Sequence, residues 1–261
     1  MNTINPPSQD RKKGYSCNTR KTMGYITVSS ITKVRSAVDS KHHLIISHEV
    51  TNQGHDRIQL ANMAKQAKTI IGTDELTVVA DRGYFSGEEI KACADAGIKT
   101  YLPKPQTSGN QARGLFGKRG FIYHPQEDEY ECPAGERAIY RFSREEKGKL
   151  IRRYWSSECI HCGMKSKCAT GKNPRISRWE HEAILDDLDA RMELEPEMMK
   201  VRRSTVEHPF GTIKSWMGST HFQMQTIKRV SAEMSLHVLA YNLKRVINIM
   251  GTKQLIAAMQ A

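Results

Sequence analysis

Apolar residues along this chain follow two spacings, and the changes between them mark its elements. Val34-Arg-Ser-Ala-Val38-Asp39 and the run from His43 to Val50 alternate or cluster as strands do, with the polar turn Asp39-Ser40-Lys41 between them. Ile58, Leu60, Ala61, Met63, Ala64, Ala67, Ile70 and Ile71 then recur at helical spacing, from Asp56 to a stop at Gly72. Leu76 to Ala80 is a short apolar run of the kind buried on both faces of a sheet. Gly83 permits a turn, and Ser86-Gly-Glu88-Glu89 carries the acidic first turn of a helix that runs to Gly97. Ile98 to Leu102 supplies a further strand before Pro103 and Pro105. This β-β-α-β-α-β order predicts an α/β fold with a mixed sheet and flanking helices.

The flanking segments differ. Residues 1–32 are polar and show no recognisable strand, residues 33–103 form the first part of the α/β core, and residues 104–178 lose the periodicity. That third stretch is basic and cysteine-bearing and is taken as an insertion. Residues 179–261 return to helical spacing, over Trp179–Met192, from Glu195 through Trp216, and from Lys228 to Met250. In the last of these, Leu236, Leu239, Ala240, Leu243, Val246 and Ile247 form one apolar stripe beside Lys244 and Arg245.

Charge changes this picture. A formal net charge of +12 points to a polyanionic partner, nucleic acid first. No window approaches the ~18 apolar residues of a membrane span, and the start lacks a basic region followed by an apolar one. The cytoplasm is therefore the expected compartment, where six cysteines do not read as a disulfide framework.

Two carboxylates stand out. Asp81 closes the buried run Leu76–Ala80, and strand ends hold side chains in fixed directions at a crevice. Glu207 lies among cations in Arg202-Arg203-Ser-Thr-Val-Glu207-His208-Pro209-Phe210-Gly211-Thr212-Ile213-Lys214. Hard oxygen ligands held close together suit Mg²⁺ or Mn²⁺ and phosphodiester chemistry, although an aspartate after a strand also commonly caps a turn. Arg203 and Lys214 fall near the Glu207 face of a helix and are candidate phosphate contacts, with a solvated charged face as the alternative. Asp56 is a candidate helix cap, Tyr84 either packs on DNA or fills the turn, and His208 is expected to satisfy a hydrogen bond.

Val79-Ala80-Asp81-Arg82-Gly83-Tyr84-Phe85-Ser86 resembles the box that holds the second catalytic aspartate of DDE transposases. Val206-Glu207-His208-Pro209-Phe210-Gly211-Thr212-Ile213-Lys214 resembles the box that holds their third acid. From about Val34 to Ala261 the chain is similar to bacterial insertion-sequence transposases of the IS1182 type, in the wider IS4/IS5-like superfamily. The resemblance implies an RNase H-like core, metal-dependent DNA strand cleavage and transfer, and Asp81 and Glu207 as catalytic metal ligands. It also implies a first aspartate on a strand upstream of Val34. No such strand is recognisable, Asp39 lies in the following strand, and Asp10 is the only acid further upstream. The expectation is an N-terminally incomplete copy that keeps two of three acids, with a catalytically inactive DNA-binding remnant as the alternative. A second copy of the chain is a further candidate partner.

The insertion carries its own chemistry. Cys159-Ile-His-Cys162 with Cys168 gives C-x₂-C-x₅-C, and Cys132 in Cys132-Pro-Ala-Gly135 is the candidate fourth ligand of a zinc ion. His161 is an alternative ligand, and small buried thiols are the alternative reading. Arg152 and Arg153, next to Tyr154 and Trp155, are candidate DNA contacts.

Overall fold

A computed structural model describes residues 25–31, 34–105, 109–168, 175–218 and 220–260. Strands β1 (Tyr25–Ile31), β2 (Val34–Asp39) and β3 (Ile45–Val50) form an antiparallel meander. Helix α1 (Leu60–Ile71) crosses to β4 (Leu76–Ala80), and α2 (Gly87–Asp95) crosses to β5 (Ile98–Tyr101). Both β1–β4 and β4–β5 pair in parallel, so the mixed sheet has the order β3-β2-β1-β4-β5. With helices on both faces it is an α/β sheet compatible with an RNase H-like fold.

The sheet is built by burial. Every residue of β4 is buried, and β2 is buried from Val34 to Val38. Even-numbered β4 residues (Leu76, Val78, Ala80) join α1, α2 and Leu188 in the main core. Val79, one residue out of phase, packs on the other face with Tyr101 and Met198. That alternation is the two-residue period of a strand with both faces covered.

Three expectations need correction. The stretch without a recognisable strand contains β1, which occupies the centre of the sheet. Asp56 does not cap α1, whose N-cap is Gln59; its carboxylate instead accepts from Nε of the buried Arg35 at 2.9 Å. The helix expected from Glu195 through Trp216 is α5 (Met198–Gly211) followed by a π-helical turn over Thr212–Trp216. Pro209 inside α5 has no N–H to donate, so the hydrogen-bond ladder loosens where the wider turn begins.

The described residues of the stretch read as an insertion form regular elements that their composition did not suggest. β6 (Ile122–His124), β7 (Glu129–Glu131), β8 (Arg137–Glu146), β9 (Lys149–Trp155) and β10 (Ile176–Trp179) make a second, antiparallel sheet in the order β10-β9-β8-β7-β6. The one-turn helix α3 (Lys165–Cys168) lies between β9 and β10. Trp179 and Ile151 dock this sheet on the main core, and α4 (Glu182–Leu194) follows.

Helix α6 (Ile227–Met250) buries Met234, Val238 and Tyr241 against β2, β3, Phe210 and Ile213. The stripe read from the sequence faces outward: Leu236, Leu239 and Leu243 are exposed. Helix α7 (Thr252–Gln260) has no buried residue. No described helix is long and apolar enough to cross a membrane.

Candidate active site

Asp81 sits just past the C-terminal end of β4 and caps the short 3₁₀ turn Arg82–Tyr84. Its Oδ1 accepts from the Gly83 N–H at 2.8 Å. A Cβ on Gly83 would stand 2.9 Å from that same oxygen, so glycine lets the turn fold tightly around the carboxylate. Tyr84 is fully buried and fills the core beneath the turn, which removes it from any role on DNA. The other oxygen, Oδ2, accepts from Arg202 Nη2 at 2.9 Å.

That bond ties the end of β4 to the helix that carries the second acid. Helix α5 starts with Met198 packed on Val79 and Tyr101, passes Asp81 at Arg202, and ends with Phe210 packed over β2 and β3. Val206, Phe210 and Ile213 recur at i, i+4 and i+7 and face the sheet. Glu207 is left exposed at the edge of that stripe, between the β4 anchor and the β2–β3 anchor. It forms no hydrogen bond or ion pair with any described residue. Helix α5 thus runs across the sheet between these two anchors, and β1 is the strand between β2 and β4.

β1 itself holds no acid. Its sequence is Tyr-Ile-Thr-Val-Ser-Ser-Ile, and the parallel register pairs Val28 with Ala80. The pairing ends there, and the same register continued by one residue would set Ser29 opposite Asp81. Asp39 cannot substitute for an acid there. It pairs with Ile26, toward the opposite end of β1, and its carboxylate accepts from the Lys41 and His42 N–H groups in the β2–β3 turn. Asp10 and Cys17 lie outside the described residues.

Among the cationic candidates, Arg203 is exposed one turn before Glu207 and forms no ion pair with a described residue. Lys214 lies in the π-helical turn and lines an apolar cavity with Phe210 and Met234. Arg152 is paired with Asp128 at 3.2 Å, and Arg153 with Glu146 at 2.5 Å. The more open basic and aromatic group on this sheet is Arg141 and Arg175 against Trp155, with the exposed Phe142 edge-on to the same indole. His208 satisfies a hydrogen bond, as expected: its Nδ1 lies 3.0 Å from the Tyr241 hydroxyl, which donates to the His43 carbonyl. Burial, then the Arg245 charge and the stacked His43 ring, holds the His208 pKa below its ordinary value.

The donor set bears on metal binding. Asp81 and Glu207 are hard oxygen donors of the kind Mg²⁺ and Mn²⁺ take. Among the described residues, however, no group of three or more His, Cys, Asp or Glu side chains is arranged to hold a metal ion. The two acids are donors of the right chemistry for such a cation, and β1 adds no third carboxylate.

A central β1–β4 parallel pair with an acid at the β4 end, crossed by a helix bearing a second acid, is compatible with the RNase H-like class of folds. The comparison with protein families is more specific: residues 3–243 match the transposase DDE domain, and the chain belongs to that family. A transposase domain implies DNA as partner, and the family generally works with divalent metal ions. No curated protein and no solved structure shows significant similarity to the chain.

Proposed function

We propose that this chain is a transposase of the IS1182 type whose site for DNA strand cleavage and transfer is built on Asp81 and Glu207 and lacks the acid of its central strand. The observation that supports this reading is the Arg202–Asp81 ion pair, which ties the end of β4 to the helix that carries Glu207 where that helix crosses the sheet. Bound Mg²⁺ or Mn²⁺ would supply activation of the nucleophile and stabilisation of the leaving oxygen. The chain's own part is positioning. Asp81 and Glu207 are the ligands, the Gly83 N–H fixes one Asp81 oxygen, and Arg202 holds the other while supplying positive charge near a phosphate. Arg203 beside Glu207 is a further phosphate contact.

The absence of an acid at Ser29 favours the second half of this reading: DNA engagement without efficient cleavage by this chain alone. Two carboxylates hold a dication more weakly than three, because each ligand removed leaves charge on the ion uncompensated. Ser29→Asp tests this directly. It should raise Mn²⁺-dependent nicking of DNA carrying the element's ends, and adding Asp81→Ala should abolish the gain. Nicking unchanged by Ser29→Asp would remove Ser29 from the site.

A further inference from the structure

We propose that Cys132, Cys159, Cys162 and Cys168 form a structural zinc site that fastens the outer end of the second sheet, independently of whether the Asp81 site cleaves DNA. The four cysteines come from three separate segments. Cys132 lies in the β7–β8 turn, closed by bonds from Gly135 N–H to Cys132 O at 2.8 Å and from Cys132 N–H to Glu136 O at 2.9 Å. Cys159 and Cys162 lie on and just after the 3₁₀ turn that follows β9, and Cys168 ends α3. All four line one cavity of about 20 Å³, and all are free thiols.

Convergence of four thiols from distant segments is not what packing alone produces. Cys93 shows the contrast: it is fully buried in the main core among apolar neighbours, with no second cysteine in that cluster among the described residues. The four insertion cysteines are only partly buried, and the apolar cluster next to them consists of Tyr130, Ala138, Tyr154 and Ile176. Helix α3 has no buried residue, and Phe116 N–H reaches it with a bond to Lys167 O at 2.7 Å. A one-turn helix without an apolar face needs another fastening, and a metal commonly supplies it where the core is small.

The spacing and chemistry suit zinc. C-x₂-C places two sulfurs on one tetrahedral ion, and Cys168 and Cys132 complete the set. The four thiols line one cavity, but no trio of them is already arranged around a metal position. Rotation about Cα–Cβ between staggered wells, open to partly exposed side chains, would bring them inward. Binding converts four thiols to thiolates, releases four protons to solvent and leaves a centre of charge −2. Lys165, which lines the cavity, places a cation beside that charge.

The test is metal content and ligand-field spectroscopy on the full chain. Purified protein should carry about one zinc per chain, and Co²⁺ exchanged into it should give the intense visible bands of a tetrahedral thiolate site. Cys159→Ser with Cys162→Ser should lose both signals, while Cys93→Ser should keep them. If the double variant does not fold, the wild-type Co²⁺ spectrum still decides. A wild-type chain with no zinc and no thiolate bands on Co²⁺ titration would overturn the proposal, as would a well-folded double variant with unchanged metal content.

Discussion

The two sheets of this molecule are stabilised in opposite ways. In the mixed sheet, β4 is buried throughout and β2 nearly so, with apolar side chains packed on both faces. In the antiparallel sheet, β8 is mostly exposed and the strands are joined by polar contacts. Asp128 accepts from the Tyr123 and Tyr154 hydroxyls, each at 2.7 Å, and from Arg152. Arg178 lies over the Tyr123 ring at 3.5 Å, donates to the Tyr130 hydroxyl and pairs with Asp186. Burial is non-directional and tolerates similar shapes, whereas a hydrogen-bonded network loses most of its value when one member is removed. The first sheet should thus fail by cavity formation and the second by loss of polar partners.

The largest effect should come from the first sheet. Ile90→Ala in α2 removes a fully buried side chain, and its expected cost is about 2–5 kcal/mol in denaturant unfolding. A cost below 1 kcal/mol would mean that the core is looser than its burial indicates. In the second sheet, Asp128→Ala leaves two tyrosine hydroxyls and Arg152 without their acceptor, for about 1–3 kcal/mol. Hydrogen exchange should show faster opening of β7 to β9 with little change in β4. Equal acceleration in both sheets would show that they unfold as one unit.

A smaller effect is expected from pH. His48 meets Ser235 of α6, and His208 meets Tyr241 of the same helix. Burial lowers both pKa values from 6.5, with Arg245 and His43 adding to the shift at His208. Below 6.5 the unfolded chain therefore binds protons that the folded chain resists, so stability is full above that pH and falls as the solution is acidified. Melting curves should shift down between about pH 7 and pH 5, and replacing both histidines with glutamine should flatten the dependence. An unchanged slope in the double variant would place the titration elsewhere.

The smallest effect should lie at the exposed join between the sheets, where Lys149 pairs with Glu88 at 2.8 Å. This lysine, and then Ser86, lowers the Glu88 pKa against a smaller opposing effect of burial. Glu88→Gln should cost under ~1 kcal/mol and less at high salt. A larger, salt-insensitive loss would mean that the join is more rigid than a surface ion pair.

The same contrast decides what could be read from the sequence. Leu76–Ala80 and the α1 periodicity were legible because burial imposes a spacing on the chain. Asp81 and Glu207 could be picked out as candidates because each sits in a compact motif. β1 escaped notice because Thr27, Ser29 and Ser30 dilute its pattern, although Ile26, Val28 and Ile31 were a signal. The second sheet escaped because its strands carry charged residues among aromatic ones, as in Lys149-Leu-Ile-Arg-Arg-Tyr-Trp155. The Arg202–Asp81 pair spans 121 residues, and no local pattern encodes such a contact.

The central claim is that Asp81 and Glu207 belong to one DNA-processing site from which the β1 acid is missing. The most direct measurement compares the wild-type chain, Ser29→Asp, and Ser29→Asp with Asp81→Ala for Mn²⁺-dependent cleavage of element-end DNA, with DNA binding followed in parallel. The account predicts that the wild type and Ser29→Asp both bind, that only Ser29→Asp cleaves well, and that Asp81→Ala removes the cleavage. Robust cleavage by the wild-type chain, abolished by Asp81→Ala alone, would contradict it.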